Sequence, residues 1–167
     1  MVMRTSTLLL AIIGVLAVGS TAGAQSVAPM AVDWSAKLEP VARSYPPGSS
    51  FTVAISAAIR EGWHVYSTEE VKDGPRPLRL ALAGGQPFTQ AGKLRAPEPQ
   101  REFDETFNQV AGYYDLPVTF RLPVKVLPEA GAGAATLTIE VNYQACDGKM
   151  CLPGRAVKVT VPVTIAR

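Results

Sequence analysis

Apolar and polar residues alternate along most of this chain. Apolar side chains occupy every second position in residues 51–57, 78–82, 136–143 and 157–165. A period of two places such side chains on one face of a β-strand. Each segment therefore predicts a strand with one buried face. Residues 63–66 and 116–126 have similar strand character, although Pro123 and Pro162 interrupt two of these strands.

Turn-forming residues separate the predicted strands. Glu61-Gly62 predicts a hairpin between the strand at 51–57 and the strand at 63–66. Pro162 lies on the polar face of the last strand, which indicates a position at a sheet edge. About seven short strands without an amphipathic helix predict an all-β fold, an antiparallel β-sandwich. A β-barrel is the second choice.

Two segments lack this period. Residues 25–50 contain several turn formers and end near Pro46-Pro47-Gly48, so we expect an extended lead-in, irregular or at a sheet edge, before a domain that spans 51–167. Residues 92–115 mix prolines, charges and aromatic residues without a regular period. We expect a long loop there, and long loops in compact domains are often functional.

The N-terminus predicts export. Arg4 precedes an apolar run at 8–18, and Ala22-Gly23-Ala24 offers a small-residue cleavage site. This run is about half the roughly 20 residues that a membrane-spanning helix needs. We therefore expect residues 1–24 to be a cleaved secretory signal peptide, with no stable membrane insertion afterwards. An uncleaved anchor is the alternative.

Charge and size exclude some function classes. The chain of 167 residues carries 16 Lys and Arg against 14 Asp and Glu, without a run of like charge. A nearly neutral protein without a basic arm is not suited to electrostatic binding of nucleic acid. The part that follows the predicted signal has the size of one domain.

The sequence contains two cysteines, Cys146 and Cys151, between the last two predicted strands. In an oxidising compartment such a pair normally forms one disulfide. If the flanking strands pair, Asp147-Gly148 forms the turn and the bridge lies at an exposed hairpin tip. A structural role and a redox role both remain open. A disulfide that closes so short a loop adds only about 2 kcal/mol of stability, and exposed disulfides exchange readily with thiols.

Metal binding is the third reading of the cysteines. The C-x4-C spacing is not that of a zinc knuckle, and His64 with two thiols leaves a four-ligand site incomplete. A copper site at Cys151, Met150 or His64 would rest on ligand softness alone. We therefore expect neither a metal nor another cofactor.

Three segments together resemble the N-terminal periplasmic domain of the DsbD thiol:disulfide interchange proteins. Residues 143–153 read YQACDGKMCLP, like the active-site hairpin of that family. Residues 61–67, EGWHVYS, are similar to its aromatic active-site strand, and residues 102–107, EFDETF, to its cap loop. The resemblance extends from about residue 34 to the C-terminus. It implies an immunoglobulin-like fold.

The resemblance also implies a function. Cys146 and Cys151 would be a dithiol that shuttles electrons in the periplasm, an activity of the protein-disulfide reductase type. Cys151 would form the mixed disulfide with a partner and Cys146 would resolve it. The implied partners are thioredoxin-like periplasmic proteins, including those of cytochrome maturation. Because the sequence contains no electron conduit of its own, we expect a membrane protein to donate electrons in trans.

The resemblance assigns further residues to the site. His64 and Tyr66 would line it, and Asp104, Glu105 and Phe107 would form the cap. Two positions differ from the family pattern, which has aromatic residues where His64 and Thr106 stand. The ordinary alternatives are a solvated face for the acids, a core position for Phe107 and a structural histidine. The competing function is a non-catalytic immunoglobulin-like binding module with a structural disulfide.

Overall fold

The computed structural model describes residues 30–167, so the predicted signal peptide lies outside the described residues. The described chain consists of β-strands joined by turns and loops. No helix in this range is long and apolar enough to cross a membrane. The strands are β1 (Val32–Glu39), β2 (Ser50–Ile59), β3 (His64–Tyr66), β4 (Arg79–Leu82), β5 (Phe88–Gln90), β6 (Gln100–Asp104), β7 (Gln109–Tyr114), β8 (Val118–Val126), β9 (Gly133–Tyr143), β10 (Ala145–Cys146) and β11 (Arg155–Ile165).

These strands form three antiparallel sheets. The first sheet has the order β1-β2-β8-β5 and the second has the order β11-β9-β4. A smaller sheet, β10-β3-β7-β6, carries both the cysteine region and the predicted cap. The predicted all-β fold with antiparallel strands is therefore confirmed.

The core lies between the inward faces of the long strands. In β9 and β11 the buried residues alternate with exposed ones, so Ile139 lies opposite Val159 in the pairing. Phe120 of β8 is fully buried, and its ring lies 5.4 Å from that of Tyr114 and 6.3 Å from that of Trp34. Burying one such side chain contributes roughly 1.5–3 kcal/mol.

The edge position predicted from Pro162 is observed. β11 is the outer strand of its sheet, and Pro162 is exposed opposite Thr136. A proline has no N–H group to donate to a neighbouring strand. Its place at the edge is consistent with this limit.

The predicted hairpin between residues 51–57 and 63–66 is wrong. β2 pairs with β1 along one edge and with β8 along the other. Both edges of β2 are therefore occupied, and β3 pairs instead with β7 and β10 in the smaller sheet.

The boundary drawn at residue 51 falls too late. β1 lies inside the expected lead-in and pairs with β2 from Val32, opposite Ile59, to Glu39, opposite Thr52. Tyr45 also bridges to the last strand. Part of residues 25–50 therefore belongs to the sandwich, as an edge strand. Apolar residues alternate with polar ones within β1 as well, at Val32, Trp34, Ala36 and Leu38, as expected for a strand with one buried face.

The loop expected at residues 92–115 contains a hairpin. β6 and β7 pair from Gln100, opposite Tyr113, to Asp104, opposite Gln109. Asn108 in the turn adopts a positive φ of 53°, which asparagine tolerates better than most residues. Most of β6 is exposed, so no buried face imposes the alternation that reveals the other strands.

Candidate functional site

Strand pairing in the small sheet brings the cysteine region to the aromatic strand. Cys146 in β10 lies opposite His64 in β3, and Tyr66 in β3 lies opposite Tyr113 in β7. His64 and Tyr66 are two residues apart, so they project from the same face of the strand. Their rings are 5.2 Å apart.

The two cysteines form a disulfide with an S–S distance of 2.04 Å. The carboxylate of Asp147 accepts hydrogen bonds from the backbone N–H groups of Lys149 (3.0 Å) and Met150 (2.9 Å). These bonds hold the loop between the cysteines, and they lower the pKa of Asp147. The sequence identified Asp147-Gly148 as a turn but not this role for the carboxylate.

The disulfide is less exposed than a hairpin tip would be. Cys146 is only 2% exposed because β10 joins the small sheet, whereas Cys151 is half-buried. The predicted exposed tip is therefore wrong for Cys146. Both cysteines border the cleft described below, and Cys151 is the more exposed of the two.

A hydrogen bond joins the disulfide to the predicted cap. The Tyr66 hydroxyl donates to Asp104 Oδ2 at 2.6 Å and lies 3.3 Å from Cys146 Sγ and 3.9 Å from Cys151 Sγ. A tyrosine has one hydroxyl proton, and the short bond directs it to the carboxylate. Burial, followed by this bond and the charge of Asp104, raises the pKa of Tyr66, so the phenol stays protonated.

The other oxygen of Asp104 shapes the turn that carries Phe107. Asp104 Oδ1 accepts hydrogen bonds from the N–H groups of Thr106 (2.9 Å) and Phe107 (3.3 Å). The Phe107 ring stands edge-on to the Tyr66 ring, with 6.0 Å between the centroids. Phe107 and Cys151 pack against the same small cluster of buried residues. Glu105 is exposed and points to solvent in the cleft region.

His64 lies in an aromatic environment. Its ring centroid is 5.1 Å from that of Tyr113 as well as close to Tyr66. Burial lowers the pKa of the imidazole, and the charges of Asp104, Asp115 and Asp147 oppose that shift. The net direction favours the neutral form, which can accept a proton.

A cleft of about 700 Å³ opens in front of the disulfide. Both cysteines line it, and so do all the predicted site residues except Phe107. Glu102, Tyr113, Asp115 and Leu116 also line it, and the sequence prediction did not include them among the site residues. Burial and a hydrogen bond to Glu102 raise the pKa of Tyr113 to about 12. Within residues 30–167 no group of three or more His, Cys, Asp or Glu side chains could hold a metal ion.

The fold and the site together define an all-β domain whose disulfide lies among aromatic and acidic side chains. Residues 35–162 match the family model described as thiol:disulfide interchange protein DsbD, N-terminal. The chain belongs to this family, whose fold is immunoglobulin-like. The resemblance inferred from the three segments is confirmed, and with it an activity of the thiol:disulfide interchange class in general terms.

Two solved structures show distant similarity to this chain. The major pilin subunit BcpA of Bacillus cereus is 11% identical, with a TM-score of 0.37, over 81% of this chain and 40% of the pilin chain. Self-complemented MyfA, the major fimbrial subunit of Yersinia enterocolitica, solved with galactose, is 16% identical, with a TM-score of 0.28, over 80% of this chain and 100% of that chain. This chain thus spans less than half of the BcpA chain. No curated protein sequence matches it.

Proposed function

We propose that this domain exchanges its Cys146–Cys151 disulfide with the thiols of partner proteins. The observation that carries the proposal is the unequal exposure of the pair at one cleft: Cys146 is 2% exposed and Cys151 is half-buried, and the Tyr66 hydroxyl links Asp104 to Cys146 Sγ. A purely structural bridge needs no such surroundings. Its six-residue loop would add only about 2 kcal/mol of stability.

The proposed reaction consists of two exchange steps. A partner thiolate attacks Cys151 Sγ, the Cys146–Cys151 bond breaks, and Cys146 leaves as a thiolate that takes up a proton. A second partner thiol loses its proton and attacks the mixed disulfide, which releases Cys151 as a thiolate that is then protonated. The partner ends as a disulfide and this domain as a dithiol, so two electrons and two protons have passed from the partner to this domain. The reverse sequence reduces a partner disulfide.

Tyr66 is well placed to assist the departure of Cys146. Its hydroxyl oxygen is 3.3 Å from Cys146 Sγ, so a small rotation would turn the proton from Asp104 towards the developing thiolate. A hydrogen bond to an ionised acceptor is stronger than one to a neutral acceptor. Asp104 would hold Tyr66 in place before the exchange, and neutral His64 would be available as a proton acceptor nearby.

We further propose the partners and the location. Thioredoxin-like proteins of the periplasm, including those of cytochrome maturation, would exchange with Cys151, and a membrane protein would supply electrons in trans. Family membership supports both, because the family domain is periplasmic and its partners are thioredoxin-like in general. The export signal predicted at residues 1–24 agrees with that location.

The Phe107→Ala variant should react faster with small thiols. Phe107 stands against Tyr66 and packs on the same small cluster as Cys151, so we expect its removal to open the approach to the attacked sulfur. We expect reduction by dithiothreitol to accelerate by roughly 3–10-fold, which corresponds to lowering the activation free energy by about 1 kcal/mol. Stopped-flow or thiol-trapping kinetics would measure it.

Val110→Ala is the matched control for Phe107→Ala. Val110 is 57% exposed, lies outside the cleft and does not belong to the cluster around the disulfide. Its removal should leave the reduction rate unchanged. Equal rates in the two variants and the natural protein would show that Phe107 does not cover the bridge.

The direct test of the function is the redox behaviour of the natural protein. Its reduction potential and its rate of exchange with a purified thioredoxin-like protein should both be measured. We expect rapid exchange and a potential above about −300 mV, since structural disulfides lie below that value. A lower potential combined with slow exchange would support a structural bridge in a binding module.

A further inference from the structure

The cleft in front of the disulfide is strongly acidic. Six carboxylate residues line it, and no Lys or Arg does so among the described residues. The whole chain has more Lys and Arg than Asp and Glu, so the acids are concentrated at the cleft. The six are Glu61, Glu102, Asp104, Glu105, Asp115 and Asp147.

These carboxylates are not neutralised by ion pairs within residues 30–167. The salt bridges of this range join other acids to the basic side chains, for example Arg79 to Glu70 and Arg121 to Glu39. Arg101 in β6 pairs with Glu69. Lys149 is in the loop between the cysteines, but it is exposed and does not line the cleft. The cleft therefore retains its negative charge.

Exposed apolar side chains lie among the acids. Phe103, Leu116 and Met150 line the cleft and are 58%, 67% and 58% exposed. Protein interfaces are enriched in aromatic residues and methionine. This second feature is independent of the charge, and together with the half-buried Cys151 it marks the cleft as a contact surface.

We propose that the cleft is a docking surface selective for thiol proteins whose reactive cysteine is surrounded by Lys or Arg side chains and an apolar contact residue. The inference rests on the proposed exchange function and specifies its partner class. Complementary charge raises the rate of productive encounter, and like charge suppresses unsuitable partners. Anionic thiols would accordingly be poor reductants of this disulfide.

Small thiols of opposite charge test the electrostatic part. The disulfide of the natural protein would be reduced with cationic cysteamine, anionic 2-mercaptoethanesulfonate and neutral 2-mercaptoethanol, each rate being divided by the thiolate concentration. We expect the ratio of the cationic to the anionic rate to fall about tenfold between low and high salt, as Coulomb interactions over about 8 Å are screened.

Charge-neutralising variants assign this effect to the cleft. Glu61→Gln combined with Asp115→Asn should lower the cationic-to-anionic ratio by about fivefold at low salt and leave the neutral-thiol rate unchanged. Both side chains are exposed, so folding should not suffer. The matched control combines Glu129→Gln with Glu140→Gln, two acids outside the cleft, and should keep the natural ratio.

A protein reductant tests the docking surface. A thioredoxin carrying an added Lys beside its reactive cysteine should exchange faster than one carrying Glu at the same position. Leu116→Ser should slow exchange with both thioredoxins without changing the rates with small thiols. The control is Val41→Ser, at an 86% exposed position outside the cleft, and it should change neither the thioredoxin rates nor the small-thiol rates.

The outcomes separate the two proposals. If neutral thiols and thioredoxin reduce the disulfide but the charge ratio is the same in the cleft and control variants, the docking proposal is overturned and the exchange function stands. The same holds if the Lys and Glu thioredoxins react equally. If no thiol reduces the bridge, both proposals fail.

Discussion

Replacing Cys151 by serine should abolish exchange with a thioredoxin-like partner, to at most about one thousandth of the natural rate. The remaining thiol, Cys146, is 2% exposed in β10, so a folded partner cannot reach its sulfur. In thiol–disulfide exchange a thiolate attacks a disulfide sulfur directly, so the reacting sulfurs of both proteins must be accessible. The loss of the bridge itself should cost only about 2 kcal/mol of stability.

The Cys146→Ser variant is the matched control. It removes the same bridge but leaves Cys151 in the cleft, without a neighbouring thiol to resolve the mixed disulfide. With a partner that keeps only its reactive cysteine, activated as a mixed disulfide with 2-nitro-5-thiobenzoate, the Cys151 thiolate should displace the aromatic thiolate and remain bound to the partner. We expect this covalent complex to accumulate and to be detectable on a non-reducing gel and by mass spectrometry. Capture by Cys151→Ser and not by Cys146→Ser would reverse the proposed roles. Failure of both variants to fold would favour the structural bridge.

Replacing Phe120 by alanine should destabilise the oxidised protein by about 3–5 kcal/mol, the usual cost of deleting a fully buried aromatic ring. The ring contacts Tyr114 edge-on and lies near Trp34, so a cavity would form where the small sheet meets the core. Urea unfolding followed by tryptophan fluorescence would measure the change in the free energy of unfolding.

Thr160→Ala is the control for this substitution. Thr160 is exposed on β11, and exposed substitutions usually change stability by less than about 0.5 kcal/mol.

Because Tyr114 adjoins Tyr113 at the end of β7, the Phe120→Ala variant should also react faster with small thiols. A loss of stability below about 1.5 kcal/mol would mean that Phe120 does not anchor the core as the structure indicates.

The amino-acid sequence determined the long strands and their buried faces. In residues 136–143 and 157–165 the alternation names each inward side chain, and the structure buries most of them in β9 and β11. This information is local, because the pleat alone puts every second residue on one face. The cysteine hairpin was also readable, since it lies between two strands that are adjacent in the chain.

Only the tertiary structure decided which strands are neighbours. The alternation of β2 is satisfied equally by pairing with β3 or with β1 and β8, and the observed sheet chooses the latter. The hairpin of β6 and β7 could not be predicted from the hydrophobic pattern, for a different reason. Its outer strand buries little, so nothing constrains the order of apolar and polar residues within it.

The candidate site also combines features that the sequence predicts with features that only the fold determines. The resemblance of three local segments to the family assigned Cys146, Cys151, Tyr66 and Asp104 to the site. The burial of Cys146 follows from the pairing of β10 with β3, and the acidic cleft gathers carboxylates from four separate stretches of the chain. Charge that is spread along the sequence becomes concentrated only when folding brings distant strands together, because electrostatic potential depends on distance in space and not along the chain.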